Sequence, residues 1–514
     1  MNQNTTIEHM QAIPSFIVRF GTLTRAFFAG LLLPLGFAPF HLPGFAILSL
    51  ALLFAQLRTT TPPFLTGFVF GLGFLGLGVS WVYVSIHEFG PLNALLSGGI
   101  TLLFVTYLAL YPGCVALLYS TLSKHCSFVW SALLFSALWC LGEYLRATLM
   151  GGFPWLLLGV SQLDTPLHHI IPILGVYGAS FLTCLAATSL VGIAYTTGFK
   201  RTRALLVCLS ILLLPSFLKN IAWTEVSSKP LSIAIIQANL SMRDKWDESL
   251  FWKLVSTYQT YVEQFVPRAS VIVLPESAIP VPGNYVSDVL EGLHQKALKS
   301  GSAILLGIPE PTHADETYYY NTITTLGTAE GHYRKQHLVP FGEFIPNPFE
   351  QVIRWFTLPP ANLKPGKKEQ PLIRVKNHPI ASLICYELAY PALLRKQLPE
   401  AEWIVSVSDD GWFGHSLAMY QQLQIAQLLS LQTGRFQVVS NNDGLSSIIN
   451  TKGEVTASLP AFSSGVLEAN IYPAIGSTPW VRWGDLPLLL GCVLVLLKIL
   501  QDNYSCRKAQ EALS

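Results

Sequence analysis

The chain has 514 residues, of which 51% are hydrophobic and only 12% charged, with a formal net charge of +2 and a mean hydropathy of +0.44. Typical soluble domains carry about 25% charged residues, so an ordinary water-soluble protein is excluded. The low net charge and the lack of a clustered basic face exclude nucleic-acid binding.

The charge is unevenly spread. Two thirds of the Lys, Arg, Asp and Glu side chains fall between residues 230 and 485, which is half of the chain. The flanks are lipid-like and the middle is compatible with water. A bilayer crossing needs about 20 apolar residues. Apolar stretches near 22–38, 43–57, 64–85, 92–120, 128–145, 168–196 and 203–220 are read as seven spans, with an eighth at 486–502. The expectation is a polytopic α-helical membrane domain of about eight spans: residues 1–222 with seven helices, and 486–514 with the last helix and a tail. Cations set the orientation. Arg19 and Arg25 lie at the start of the first span, Arg58, Lys124, Lys200, Arg201 and Arg203 occupy the even loops, and Lys498, Arg507 and Lys508 close the chain. The odd loops hold Arg146 alone. Both ends are therefore expected in the cytoplasm and residues 223–485 on the opposite side, with no cleavable signal peptide.

Within that middle segment, the runs 231–240, 270–277, 302–310, 380–387 and 403–410 are apolar and β-branched, as buried strands are. Helical patterns fall at 249–265, 286–299 and 418–433. The later runs 437–443 and 447–455 read as strands joined by a Lys-Gly turn. Strands alternating with helices predict a layered α/β sandwich.

Three polar residues end or follow such runs. Of eight cysteines, only Cys385 lies in the water-compatible stretch, so it has no disulfide partner there. A lone cysteine is either a small buried apolar residue or a nucleophile. Glu276 follows the apolar run VIVLP, at a strand end where α/β folds place site residues, although a surface turn glutamate looks the same. Lys335 lies in HYRKQHLVPFGEFIP, where a single lysine is ordinarily a solvated cation. Together the three supply what acyl transfer needs: Glu276 a base, Cys385 a nucleophile and Lys335 an oxyanion stabiliser.

The motifs LPES, RKQHLVPFGEFIP and ICYE, in this order, resemble the Glu-Lys-Cys signature of the nitrilase superfamily. With spans on both sides, the whole chain resembles the bacterial apolipoprotein N-acyltransferase family. The resemblance implies a nitrilase-like αββα domain facing the periplasm, in a multi-pass protein of the inner membrane. It implies transfer of an acyl chain from a phospholipid donor to the N-terminal cysteine amine of a diacylated apolipoprotein. Nothing in the sequence calls for a metal or an organic cofactor, or for more than a monomer. Residue by residue, it implies that Glu343 is a second essential glutamate, that Tyr386 and Glu387 support the nucleophile, and that Trp246 lies near the site. Trp412 and Phe413 would form an aromatic loop over the lipid entrance, with Trp355 and Phe356 as further gate candidates. Trp246 and Trp412 read equally well as interfacial or core aromatics. Asp409 stands where the family pattern has asparagine, and His415 where it has aspartate. Two rivals remain: a membrane-tethered nitrilase-type amidase acting on a small soluble amide, which gives eight spans no role, and a transporter or structural membrane protein with an inactive domain. Against the transporter, the spans lack the repeated buried charges of an ion-coupled carrier.

Overall fold

The computed structural model describes residues 15–59, 62–90, 92–312, 318–345 and 362–511, with residues 15–19 as backbone only. All eight apolar stretches are helical. They form α1 (Ser15–Leu32), α2 (Pro43–Leu57), α3 (Pro63–Gly78), α4 (Trp81–Phe89), α5 (Ala94–Leu122), α6 (Phe128–Thr148), α7 (Ile171–Tyr195), α8 (Gly198–Leu213) and the late helix Leu486–Glu511. Proline occupies the first turn of α2 and α3, where its missing N–H costs nothing. Asn93 caps α5 by accepting the Leu96 N–H at 3.0 Å.

Among the described residues, five helices are long and apolar enough to cross a membrane, or six if α3 and α4, bent by 55° at their junction, form one span. The expected stretch 64–85 is this broken pair. Stretch 22–38 ends in a 3-10 turn at Leu33–Gly36, with Pro34 in its first turn. At 15 residues, α2 rises only about 22 Å, short of the ~30 Å hydrocarbon core.

Arg146, read as a loop cation, is instead buried at the end of α6. It donates to the carbonyls of Phe153 (3.1 Å), Trp155 (2.6 Å) and Leu156 (3.4 Å), while Glu143 accepts the Leu158 N–H at 2.7 Å. Part of the irregular backbone between α6 and α7 therefore has its polar groups satisfied by side chains inside the protein.

The middle segment is two sheets face to face. Its strands are β1 (Thr224–Val226), β2 (Leu231–Gln237), β3 (Val271–Val273), β4 (Ala303–Pro311), β5 (Tyr319–Gly327), β6 (Ala329–Glu330), β7 (Tyr333–Arg334), β8 (Ile373–Val375), β9 (His378–Ile384), β10 (Trp403–Ser408), β11 (Gln437–Asn441), β12 (Ser447–Ile449), β13 (Val455–Ser458), β14 (Gly465–Ile471) and β15 (Ala474–Gly476). One sheet has the order β14-β2-β3-β4-β5-β7, the other β13-β12-β11-β10-β9-β8-β6, and β1 pairs with β15 apart from both. In each sheet the central strands run parallel: β2-β3-β4 in one, β9-β10-β11 in the other.

Alternation builds two cores from the same strands. Ile233, Ile235, Val271, Val273 and Leu305 meet Ile380, Ile384, Val405, Val407 and Val438 between the sheets. Ala234, Ile236, Ile272 and Ile304 face outward against Tyr258, Val262 and Leu293 on helices Phe251–Phe265 and Ser287–Ser300. On the far side, Leu383, Ile404 and Val439 pack with Ile425 and Leu429 of helix Ala418–Thr433 and continue into the core of the membrane-type helices. The order is helix, sheet, sheet, helix, as expected.

Two details differ from the sequence reading. The strand anticipated at 270–277 stops at Val273, since Pro275 has no N–H for a ladder. The turn at Lys452 and Gly453 joins β12 to β13, not the two runs it was expected to link. The helical part and the sandwich are bonded directly. Trp155 donates to Gln421 at 2.6 Å, Gln421 donates to the Gly78 carbonyl at 3.1 Å, and Tyr390 donates to the Gly152 carbonyl at 2.9 Å.

Candidate active site

The parallel strands end on one rim, and the three residues of interest gather there. Cys385 directly follows β9 and opens a 3-10 turn, Cys385–Ala389. Its φ is +53°, a left-handed conformation that non-glycine residues adopt at a cost and keep mainly where the surroundings over-determine it. The sharp strand-to-helix elbow holds the thiol at the rim, with the residue 9% exposed. Glu276 lies just past β3. The loop carrying it crosses β4 so closely that a Cβ on Gly307 would lie 2.3 Å from the Pro275 carbonyl oxygen, so only glycine admits it. The next residue, Ser277, also has positive φ (+45°).

Lys335 follows β7 and is 1% exposed. Its Nζ donates to Glu343 Oε1 at 2.7 Å and stands 3.6 Å from Glu276 Oε1. Asn321 on β5 bridges the two carboxylates, donating to Glu276 Oε1 at 2.7 Å and Glu343 Oε1 at 3.5 Å. The other Glu276 oxygen accepts the Asp409 N–H at 3.1 Å, and the other Glu343 oxygen accepts the Val339 N–H at 2.7 Å. Cys385 is within electrostatic reach of Glu276, Lys335 and Glu343.

Burial and charge set the protonation states. Burial pushes the Cys385 thiol well above its ordinary value, Glu276 pushes it further, and Lys335 pulls against both. Burial likewise raises the Glu276 carboxyl, opposed by Lys335. For Lys335, burial favours the neutral amine, but Glu343 and Glu276 outweigh it and hold the ammonium. The resting site therefore holds a neutral thiol beside a lysine ammonium.

Glu387 has another setting. Completely buried, it accepts the N–H groups of Gln336 (2.6 Å), His337 (3.0 Å) and Ile384 (2.8 Å), and the Tyr333 hydroxyl at 3.0 Å. It ties the end of β9 to the segment after Lys335. Tyr386 turns the opposite way, its ring stacked on Trp155 at 6.5 Å.

Trp246, Trp412 and Phe413 take no part in the bonds given above. Trp246, 56% exposed, caps the short helix Met242–Lys245. Trp412 packs edge-on against Phe89 at 5.5 Å and Phe413 against Trp81 at 5.0 Å, both on α4. Trp355 and Phe356 lie outside the described residues. Sequence reasoning missed Asn321, Tyr333 and Trp155, each polar or aromatic in an unremarkable local pattern. It also missed Lys245, which immediately precedes Trp246 and is 3% exposed.

Two facing sheets flanked by helices, with glutamate, lysine and cysteine at one rim, define a carbon–nitrogen hydrolase type of domain. A family model described as carbon-nitrogen hydrolase matches residues 232–479. A second, described as apolipoprotein N-acyltransferase N-terminal domain, matches residues 29–189. Whole-chain relatives carry both parts. The apolipoprotein N-acyltransferase of Coxiella burnetii is 36% identical, covering 92% of this chain and 98% of its own length. Those of Azotobacter vinelandii and Pseudomonas syringae are 36% and 35% identical, over 91% of this chain and 92% and 94% of theirs. The chain belongs to the apolipoprotein N-acyltransferase family.

Proposed function

We propose that this protein transfers an acyl chain from the sn-1 position of a phospholipid to the α-amino group of the N-terminal S-diacylglyceryl cysteine of apolipoproteins, through a thioester on Cys385. The observation that carries this is the elbow cysteine beside the Glu276–Lys335–Glu343 cluster, in a domain bonded directly to membrane-type helices. In the first half-reaction Glu276 takes the Cys385 proton as sulfur bonds to the ester carbonyl carbon. Lys335 and backbone N–H groups next to Cys385 stabilise the oxyanion. The C–O bond breaks, Glu276 returns the proton to the leaving lysophospholipid hydroxyl, and the acyl-enzyme remains. In the second half-reaction the neutral amine attacks the thioester; its ordinary pKa of about 7.7–8.0 leaves a usable fraction unprotonated. The amide forms, the C–S bond breaks, and the amine proton passes through Glu276 to the sulfur.

In this reading residues 1–222 and 486–514 make eight spans, with α1 and α2 short and α3–α4 broken. The catalytic segment, 223–485, faces the periplasm from the inner membrane, both ends are cytoplasmic, and the protein works as a monomer. Trp412 and Phe413, docked on α4, keep water from the thioester. The soluble-amide alternative gives these helices and aromatic contacts no role.

Phospholipid labelled in one acyl chain tests the reading. A hydroxylamine-labile protein adduct is expected, absent in Cys385→Ala. No adduct, together with ammonia release from small amides, would establish the amidase instead. Replacing Trp412 and Phe413 with serine should raise hydrolysis relative to transfer; an unchanged ratio removes them from the gate.

A further inference from the structure

Behind Glu276 lies a second ionic group. Lys245 and Asp409 form an ion pair with side chains 2% and 3% exposed. Lys245 Nζ also donates to the main-chain carbonyl of Glu276 at 3.0 Å. Asp409 reaches the same residue from the other side, its N–H donating to Glu276 Oε2. Its Oδ1 accepts from the Gly411 N–H at 3.3 Å and Asn442 Nδ2 at 3.2 Å. The pair thus links the segments that follow β2, β3, β10 and β11.

We propose that Lys245 and Asp409 act as one positioning unit, holding Glu276 at both its backbone and its carboxylate and balancing the charge beside it. The inference rests on the reading of Glu276 as the base. A full ion pair placed out of water is expensive and persists when both partners have further bonds to make, as both do here. The charges facing Glu276 are Lys335 and Glu343 from the β7 side, Cys385 at the elbow, and Asp409 and Asp410 at the end of β10. Burial and Asp443 push the Asp410 carboxyl well above its ordinary value, and the ion pair on this side is that of Asp409 and Lys245. A device that only braces the fold would make either single substitution harmful in the same sense. A charge-balancing one makes them opposite.

The test uses full-length protein in detergent micelles, alkylated by iodoacetamide across pH, with Cys385 modification followed by mass spectrometry so that the other thiols do not count. Asp409→Asn should move the acid limb of the profile down by about one unit, a tenfold gain at fixed pH on that limb. Lys245→Met should move it up, Lys245→Arg should restore it, and the double variant should return near the starting midpoint. Asp409→Asn keeps a neutral acceptor for Lys245, so it decides the matter even where Lys245→Met fails to fold. An unmoved limb in Asp409→Asn, or a shift in the same direction for both single variants, overturns the inference. Glu276→Gln separates the two levels. A limb that persists in it shows that Glu276 is not the base, and the inference then falls with that reading. A limb that vanishes in it, while Asp409→Asn leaves the limb in place, refutes the pair alone.

Discussion

Cys385 has two buried glutamates near it, Glu276 past β3 and Glu387 two residues further along its own turn, and their surroundings differ. In front, Glu276 accepts one side-chain amide and one backbone N–H and stands near a cation it does not tightly bind. Behind, Glu387 accepts three backbone N–H groups and a tyrosine hydroxyl. On the proposed mechanism the same residue type transfers a proton where its oxygens hold fewer bonds, and becomes a rivet where each oxygen is anchored to main chain. Burial alone distinguishes nothing, because both are buried. The number and kind of donors does.

The comparison breaks first at the front. Glu276→Gln keeps the shape and removes the proposed base, so formation of the acyl-enzyme should fall about 10²–10⁴-fold with an unchanged melting temperature. Lys335→Met should cost about 10²–10³-fold in the same step. A loss under tenfold in either, measured in single turnover, would place the chemistry elsewhere.

At the back, Glu387→Gln should lower stability by about 1–3 kcal/mol, since an amide NH2 replaces one of the oxygens that accept buried N–H and O–H donors and leaves those donors unpaired. Burial pushes this carboxyl up to about 7. Its proton is therefore held more tightly in the folded state than in the unfolded one, where the pKa is about 4.3. The stability it contributes is full below that unfolded value and is lost as pH rises through about 7. Thermal melts between pH 5 and 8 should show that loss in the parent and a flatter profile in Glu387→Gln. Equal profiles would remove the distinction between the two glutamates.

The smallest effect is expected from Tyr386→Phe, which preserves the stack on Trp155, worth about 0.5–1.5 kcal/mol. Acyl transfer should stay within about threefold, because phenylalanine retains that contact. A larger loss would show that the hydroxyl serves the reaction itself.

Much of this was legible in the chain. The strands of the sandwich announce themselves because both faces are buried, which leaves unbroken β-branched runs, and Glu276, Lys335 and Cys385 are found by the motifs around them. What stayed hidden depends on distant partners. Lys245 lies in the polar run SMRDKWDE and looks solvated; it is buried only because Asp409, 164 residues later, meets it at the rim. Arg146 reads as a loop cation until Phe153, Trp155 and Leu156 turn their carbonyls toward it. Local pattern reports periodicity and not who arrives from elsewhere, so buried charge is the feature it conceals.

The neutral, buried state of the Cys385 thiol also bears on redox chemistry. Disulfide exchange and oxidation to sulfenic acid both proceed through the thiolate. Burial and Glu276 hold that species back in the resting site. A solitary cysteine kept in this form resists oxidation without a second cysteine to guard it, and on the proposed mechanism becomes a nucleophile only when an acyl donor is in place to take it.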